Sequence, residues 1–280
     1  MTSVDQWRAG GQSFEWRGHR IWFRSEGTGE PLLLVHGFPT ASWDFHAVWP
    51  ELVKRYRVLT LDLIGFGLSA KPRDFAYSIK RQADLVEALL AHERVERYRL
   101  LAHDMGVSIA QELLARRAPI IAVCLLNGGL FPETHRALLT QRLLASPLGP
   151  LIARLSTYRT FKGAMIRIWG ERRIPEDELR SMWQLVSCEG GLAVMPQLIG
   201  YMKERKAERA RWVGAIVEPA APVRLINGVV DPVSGAHMIA RYRELVANAD
   251  VVELAGVGHY PQVEAPDRVL GPMLEHFTRS

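Results

Sequence analysis

The sequence predicts an α/β protein with a mostly parallel eight-stranded sheet, helices on both faces and an inserted helical cap. Eight short apolar runs have the length and composition of strands, at 12–17, 20–25, 31–35, 57–62, 98–103, 120–126, 222–227 and 250–254. From residue 31 these runs alternate with helical patterns, at 44–54, 78–92 and 107–117, which indicates parallel crossover units. Between 127 and 222 the alternation stops, and a segment rich in Leu, Arg and Trp is helical in pattern but broken by prolines.

These patterns divide the chain into three segments. The core of the fold is expected at 1–131 and 216–280, and the helical cap at 132–215. The first two apolar runs are expected to form an antiparallel hairpin at one edge of the sheet. A further helix is expected at 235–246, and the cap is expected to lie over the strand ends.

Composition narrows the class of protein. The 280 residues are 48% hydrophobic, which is enough for one large core, and the net charge of +5 comes from arginines spread along the chain. The densest charged stretch, 204–211, mixes both signs and is typical of a solvated helix face, so nucleic-acid binding is not expected. Cys124 and Cys188 form neither a disulfide framework nor a metal motif. The beginning of the chain lacks a signal-peptide pattern and no window could span a membrane, so we expect a cytoplasmic protein without a membrane partner.

A carboxylate stands where a strand turns sharply into a helix. The run from Tyr98 to Ser108 reads as an apolar strand, a turn with Asp104 at its apex and the start of a helix. Such a strained turn exposes one side chain above a parallel sheet as a nucleophile. A carboxylate at this position can attack a saturated carbon, displace an epoxide oxygen or a halide, and form an alkyl ester. The alternative for Asp104 alone is an ordinary turn or helix cap.

Two later segments favour the catalytic interpretation. Asp231 follows the apolar run at 222–227, and His259 follows the run at 250–254 between small residues and an aromatic one. Nucleophile, acid and histidine in this chain order, each just beyond the carboxyl end of a strand, are typical of hydrolases with a catalytic triad.

Several motifs resemble the α/β-hydrolase superfamily, in particular its aspartate-nucleophile branch of epoxide hydrolases and haloalkane dehalogenases. They are the His-Gly-Phe-Pro turn at 36–39, the Asp-x-x-Gly-x-Gly-x-Ser loop at 62–69, the His-Asp-x-Gly elbow at 103–106, Asp231-Pro232 and Gly258-His259. More narrowly, the stretches at 127–136, 211–215 and 259–264 are similar to the mesoderm-specific transcript protein group. This likeness spans nearly the whole chain.

The resemblance implies an oxyanion hole. In the superfamily the backbone N–H after the His-Gly pair, here that of Phe38, acts with the N–H after the nucleophile, here that of Met105. These donors would stabilise the tetrahedral intermediate formed when the alkyl ester is hydrolysed. We expect His36 and Pro39, in the same turn, to contact substrate.

Within the aspartate-nucleophile branch, haloalkane dehalogenases and epoxide hydrolases stabilise their leaving groups with different side chains. Haloalkane dehalogenases hold the halide with a Trp after the nucleophile and a second Trp or an Asn after His-Gly, but this chain has Met105 and Phe38 there. Epoxide hydrolases protonate the ring oxygen with cap tyrosines. Tyr201, followed by a basic helix that ends in a Trp, matches the second of these tyrosines, and Tyr158 is a looser candidate for the other. His135 is a weaker substitute donor.

The expected reaction is hydrolysis of a small apolar epoxide to a vicinal diol. Asp104 attacks carbon, Tyr201 and Tyr158 protonate the oxygen, and His259, oriented by Asp231, activates water against the ester. No metal or organic cofactor is expected, because dinucleotide and phosphate-loop motifs are absent from the sequence. Trp169 and Trp183 are candidates to line a water-shielded cavity under the cap.

Two alternatives stay open. One is dehalogenation of a small haloalkane, with the halide held by cap residues. The other is a binding protein that keeps the hydrolase scaffold without turnover. The sequence does not determine the substrate, the enantiopreference or the oligomeric state.

Overall fold

The computed structural model describes residues 3–279 and contains one eight-stranded sheet. The strands follow the order β1-β2-β4-β3-β5-β6-β7-β8 across the sheet. β1 pairs antiparallel with β2 and β2 antiparallel with β4, whereas the remaining pairs are parallel. The strand bounds are β1 Gln12–Trp16, β2 His19–Glu26, β3 Pro31–Val35, β4 Arg57–Leu61, β5 Tyr98–Ala102, β6 Ile120–Leu125, β7 Val223–Gly228 and β8 Asp250–Leu254. The predicted mostly parallel sheet and its antiparallel edge hairpin are therefore confirmed.

Burial explains why the central strands are continuous apolar runs. β5 and β7 are buried along their whole length, and β3 is buried after its first residue. Strands covered on both faces are apolar at most positions rather than at alternate ones. The polar exceptions in β5 and β7, Arg99, Arg224 and Asn227, are buried with hydrogen-bond partners. Edge strand β1 instead mixes exposed and buried positions, as expected for a strand with one solvated face.

Outside the cap, the first helix precedes the first strand and the other helices follow strands. Their bounds are α1 Val4–Ala9, α2 Trp49–Leu52, α3 Ile79–His92 and α4 Met105–Ala115, followed after the cap by α12 Ala236–Leu245, α13 Pro261–Glu264 and α14 Pro266–Arg279. α3 begins where the Ser78 side chain accepts a hydrogen bond from the Arg81 N–H, a typical N-cap. The pattern predicted at 44–54 is divided in the structure, because a 3-10 turn at Ser42–Phe45 precedes the short α2.

Seven helices fill the chain between β6 and β7. They are α5 Leu139–Leu144, α6 Gly149–Arg154, α7 Tyr158–Ile168, α8 Glu176–Ser187, α9 Gly191–Leu198, α10 Tyr201–Ala207 and α11 Arg209–Val217, with a 3-10 turn at Cys188–Gly190. The predicted helical insertion is thus present, while its bounds at 132 and 215 remain predictions. Within residues 3–279, no helix combines the length and the apolar character that crossing a bilayer requires.

The last cap helix is anchored on the helix that begins next to Asp104. Glu112 of α4 is 2% exposed and accepts hydrogen bonds from the Trp212 indole N–H, at 2.7 Å, and from the Arg211 guanidinium, at 2.9 Å. Gln111 donates to the Trp212 carbonyl oxygen at 3.2 Å. A carboxylate buried with charged and neutral donors holds the two helices in a fixed relation.

The start of α4 tolerates no side chain on its face toward β3. A Cβ added at Gly106 would lie 2.4 Å from the Val35 carbonyl oxygen, whereas one added at Gly214 of α11 would meet open space. We expect Gly106→Ala to lower the free energy of unfolding by about 1–3 kcal/mol through overpacking. Gly214→Ala should raise it by up to about 1 kcal/mol, because alanine has the higher helix propensity. Urea unfolding of both variants checks this, and equal changes in the two would contradict it.

Candidate active site

Asp104 lies at the apex of a strained turn between β5 and α4. Its backbone has φ 49° and ψ −110°, a conformation that is costly for a residue with a side chain. The turn is held by hydrogen bonds from the Asp104 N–H to the Asn127 carbonyl at 2.9 Å and from the Gly106 N–H to the His103 carbonyl at 2.8 Å. A Cβ at Gly128 would lie 2.8 Å from the Asp104 carbonyl oxygen. The turn therefore depends on close backbone approach from both sides.

The Asp104 carboxylate contacts a backbone donor and an imidazole. The Phe38 N–H donates to Oδ1 at 2.7 Å, and Nε2 of His259 lies 3.4 Å from Oδ2. A Cβ at Gly37 would lie 2.5 Å from Oδ1 and 2.7 Å from the Met105 nitrogen, so glycine is needed for the turn at 36–39 to approach Asp104 and Met105 this closely. The two carboxylate oxygens thus have different surroundings.

Asp231 orients His259 from the other side. Nδ1 of His259 lies 2.7 Å from Oδ2 of Asp231. The carboxylate also accepts from the Val233 N–H at 2.8 Å, the Ser234 hydroxyl at 2.7 Å and the Asn127 amide at 3.0 Å. These donors compensate the burial of the charge and leave Nε2 of the imidazole directed at Asp104.

The charges of the three groups depend on one another. Burial opposes ionisation of both carboxyl groups, but the charge and hydrogen bonds of His259 lower the pKa of Asp231 to about 2 and hold that of Asp104 well below its ordinary value. Burial alone would lower the pKa of His259, yet the two flanking carboxylates raise it above its ordinary value. With both carboxylates ionised, the imidazole is therefore held as an imidazolium.

Tyr201 reaches the site from α10. Its side chain is 3% exposed, its ring lies 6.0 Å from that of Phe38, and its hydroxyl has no hydrogen-bond partner within residues 3–279. Burial, and next the charge of Asp104, raise the pKa of Tyr201, so the phenol keeps its proton. The Arg205 guanidinium lies 4.6 Å from the ring centroid and donates to the Ser108 hydroxyl at 2.6 Å. Tyr201 is thus a buried, unpaired donor within the field of the carboxylate.

The structure does not bring Tyr158 together with Asp104. The Tyr158 hydroxyl donates to Glu176 at 2.6 Å, and the Arg180 guanidinium lies 4.8 Å from the ring centroid. Glu176 is an exposed residue at the beginning of α8, so this hydroxyl faces the outer surface of the cap. The expectation that the Tyr158 hydroxyl converges on Asp104 is therefore wrong, because that hydroxyl is bonded to Glu176.

Two residues expected to contact substrate are engaged elsewhere. Nδ1 of His36 donates to the Gly37 carbonyl at 2.9 Å, and Nε2 accepts from the Leu63 N–H at 3.0 Å. Both ring nitrogens therefore support the turn that carries Phe38. Trp169 is 8% exposed, stacks on Tyr260 at 5.8 Å and is not among the residues that line the cavity next to His259.

A cavity of about 320 Å³ leads to His259 beneath the cap. Phe38, Pro39 and Trp183 line it, as the sequence predicts for the latter two. Most of the remaining lining is aliphatic or aromatic and comes from α5, α6, α7, α8 and α9: Leu138, Leu143, Leu144, Ile152, Leu155, Phe161, Ala164, Met165, Ile168, Val186, Leu192 and Met195. Such a lining favours an apolar ligand.

Three buried residues of the site received no role from the sequence. Asn127 fixes Asp231, and Nε2 of His103 donates to the His259 carbonyl at 2.7 Å. Burial, and next the charge of His259, lower the pKa of His103 to about 3, so this ring is neutral. Arg205 donates to the Asp104 carbonyl at 3.2 Å. Asn127 had a detectable signal, since it follows β6 between the strands that carry Asp104 and Asp231.

The site combines a buried carboxylate, a backbone donor, an acid-oriented imidazole and an apolar cavity. Together these groups can attack an electrophile and then activate water. Among the described residues, no group of three or more His, Cys, Asp and Glu side chains is arranged to hold a metal ion.

Comparison with known proteins agrees with this architecture. Residues 32–271 match the family model described as alpha/beta hydrolase family. The mesoderm-specific transcript protein of Mus musculus is 38% identical over 283 residues, which cover 94% of this chain and 84% of that protein. Haloalkane dehalogenase 2 of Mycobacterium tuberculosis strain H37Rv is 30% identical over 265 residues, covering 92% and 91%. The solved epoxide hydrolase CorEH superposes with a TM-score of 0.78 at 20% identity, covering 96% and 98%, and so shares the fold. The chain belongs to the alpha/beta hydrolase family.

Proposed function

We propose that this hydrolase opens epoxides through a covalent ester on Asp104 and releases vicinal diols. The observation that carries the proposal is the buried Tyr201 hydroxyl, which has no partner within the described chain and lies in the field of the Asp104 carboxylate. An epoxide oxygen needs a proton as its bond to carbon breaks, and the Tyr201 phenol can give it. The apolar cavity supports a substrate of low polarity.

The first half-reaction forms the ester. Oδ2 of Asp104 attacks an epoxide carbon while the breaking C–O bond delivers its electrons to oxygen, which takes the Tyr201 proton. Oδ1 stays hydrogen-bonded to the Phe38 N–H. Ester formation removes one of the two negative charges that raise the pKa of His259, so the imidazolium loses its proton, which restores the Tyr201 phenol.

The second half-reaction hydrolyses the ester. Neutral His259 takes a proton from water, and the hydroxide attacks the Asp104 carbonyl carbon. The Phe38 N–H, with that of Met105, stabilises the resulting oxyanion. Collapse expels the diol alkoxide, which takes the proton of the new carboxyl group and leaves Asp104 ionised beside the imidazolium. The sum is one epoxide and one water consumed and one diol formed.

Dehalogenation is the second candidate, supported by the 30% identity with haloalkane dehalogenase 2. Against it, the Phe38 and Met105 side chains carry no N–H donor for a departing halide. Styrene oxide and 1-bromobutane, assayed for diol and bromide, separate the two reactions.

The covalent step is tested by trapping the ester. In His259→Gln the first half-reaction should proceed while hydrolysis slows about 10²- to 10⁴-fold, because the general base is gone. Mass spectrometry after incubation with styrene oxide should find the substrate mass on the peptide that contains Asp104. Asp104→Ala is the control and should carry no adduct. An active wild-type enzyme with no adduct in His259→Gln would refute the ester, and an inactive wild type without an adduct would favour a binding protein.

Matched substitutions of the two cap tyrosines test which residue protonates the epoxide oxygen. Tyr201→Phe should slow ring opening of styrene oxide by about 10²- to 10⁴-fold, because the oxygen must leave unprotonated. Tyr158→Phe removes a hydroxyl bound to Glu176 and should leave the rate unchanged. Single-turnover kinetics measure both rates. Similar losses in the two variants would contradict the assignment of Tyr201.

The pKa of His259 tests whether ester formation on Asp104 generates the base for the second half-reaction. Asp104→Asn imitates the neutral ester, so the pKa of His259 should fall relative to wild type because one flanking negative charge is lost. NMR titration of the imidazole measures this pKa. Glu178→Gln is the control, since that carboxylate contacts His46, at 3.3 Å, and not His259. An unchanged pKa in Asp104→Asn would show that the ester does not generate the base.

A further inference from the structure

One surface of the cap exposes leucines. All exposed leucines within residues 3–279 lie between 139 and 155: Leu139, Leu148, Leu151 and Leu155, at 64%, 58%, 53% and 62% exposure. Leu148, Leu151 and Leu155 are spaced by three and four residues along α6 and its two capping positions, which places them on one helix face. Clustered exposed apolar side chains mark a contact surface. We call Leu139, Leu148, Leu151 and Leu155 the leucine rim.

The leucine rim is continuous with the cavity. Leu155 is exposed and also lines the cavity, and the neighbouring Leu138, Leu143 and Ile152 line it too. The aliphatic path therefore runs from the outer surface to His259, which lines the same cavity. A compound dissolved in an apolar phase against the rim would meet apolar side chains along this path.

The segment that carries the rim is strongly basic. Residues 134–170 contain no Asp or Glu and six basic residues: Arg136, Arg142, Arg154, Arg159, Lys162 and Arg167. The net charge of the whole chain is only +5, so the positive charge is concentrated in this segment. The five arginines are exposed and have no ion pair in the described part of the chain, whereas Lys162 pairs with Glu176 at 2.5 Å.

We propose that the cap docks on an anionic lipid bilayer through the leucine rim and these arginines, and that the substrate is an apolar epoxide dissolved in that bilayer. The substrate class rests on the proposed function, whereas the docking surface does not. Exposed apolar side chains in a basic segment are a composition that binds the interface of anionic membranes. A surface contact needs no spanning helix, so the proposal departs from the sequence expectation of no membrane partner.

The positive charge of residues 134–170 favours an anionic bilayer over a second copy of the chain as the partner of the leucine rim. Two copies of this basic segment facing each other would repel, whereas anionic headgroups attract each arginine. The leucine rim is continuous with an aliphatic cavity, which also favours a lipid bilayer. A bilayer can supply apolar molecules to this cavity, whereas an acidic protein partner would not.

Vesicle flotation of the full-length protein tests the docking. The protein should bind vesicles containing about 25% phosphatidylglycerol, bind pure phosphatidylcholine at least tenfold more weakly, and dissociate in about 0.5 M salt. The triple variant Arg142→Gln, Arg154→Gln and Arg159→Gln should bind anionic vesicles about 100-fold more weakly. Leu148→Ser with Leu151→Ser should also weaken binding.

Matched controls carry the same changes elsewhere. Arg94→Gln, Arg97→Gln and Arg117→Gln remove three exposed arginines from the core segment, and Val217→Ser with Val230→Ser remove two exposed apolar side chains outside the rim. Both controls should bind as wild type does. An equal loss of vesicle binding in the two triple-arginine variants would show that binding depends only on net charge. That result would overturn the docking surface. Absence of vesicle binding, or a dimer in analytical ultracentrifugation that the leucine variant dissociates, would overturn it as well.

The substrate class is tested with two epoxides. The cap triple should lower kcat/KM at least tenfold for a long-chain 1,2-epoxyalkane carried in anionic vesicles and leave it unchanged for dissolved styrene oxide. Equal effects on both would overturn the bilayer as substrate source. Vesicle binding without turnover of either epoxide would instead refute the proposed function and leave the docking surface intact.

Discussion

The hydrogen bond from the Phe38 N–H to Oδ1 of Asp104 joins the ends of the adjacent strands β3 and β5. It forms because Gly37 lets the backbone approach the carboxylate and because the strained Asp104 turn directs the side chain toward it. A buried carboxylate without donors would be costly. With this donor on Oδ1, Oδ2 lies 3.4 Å from Nε2 of His259, and the proposed chemistry depends on that difference.

The imidazole of His259 lies between two carboxylates, and its protonation state depends on their charges. In the resting enzyme Asp104 and Asp231 both hold His259 as an imidazolium. In the reaction proposed above, a protonated imidazole cannot activate water, so hydrolysis would wait until Asp104 has lost its charge in an ester. The arrangement that keeps Asp104 ionised would therefore also delay the proposed second step until the first is complete.

Hydrogen bonds connect the cap to the turn at Asp104 and to helix α4. Arg205 of α10 donates to Ser108 and to the Asp104 carbonyl, and α11 is anchored on Glu112 of α4. The same guanidinium lies 4.6 Å from the Tyr201 ring centroid. One inserted segment thus carries the proposed acid, most of the apolar cavity lining and the basic segment with its exposed leucines.

The sequence by itself determined the eight strands, the helical insertion and the chain order of Asp104, Asp231 and His259, because strand periodicity and turn residues are local properties. It also identified Pro39 and Trp183 as cavity residues. Only the tertiary structure decided that the Tyr201 hydroxyl is buried without a partner in the described chain while Tyr158 pairs with Glu176. It also decided that both ring nitrogens of His36 are hydrogen-bonded, that Trp169 stacks on Tyr260, and that Asn127 and Arg205 bond to Asp231 and to the Asp104 carbonyl. The physical reason is that the rotation and packing of cap helices are set by long-range contacts, which a pattern of apolar residues along one helix does not contain.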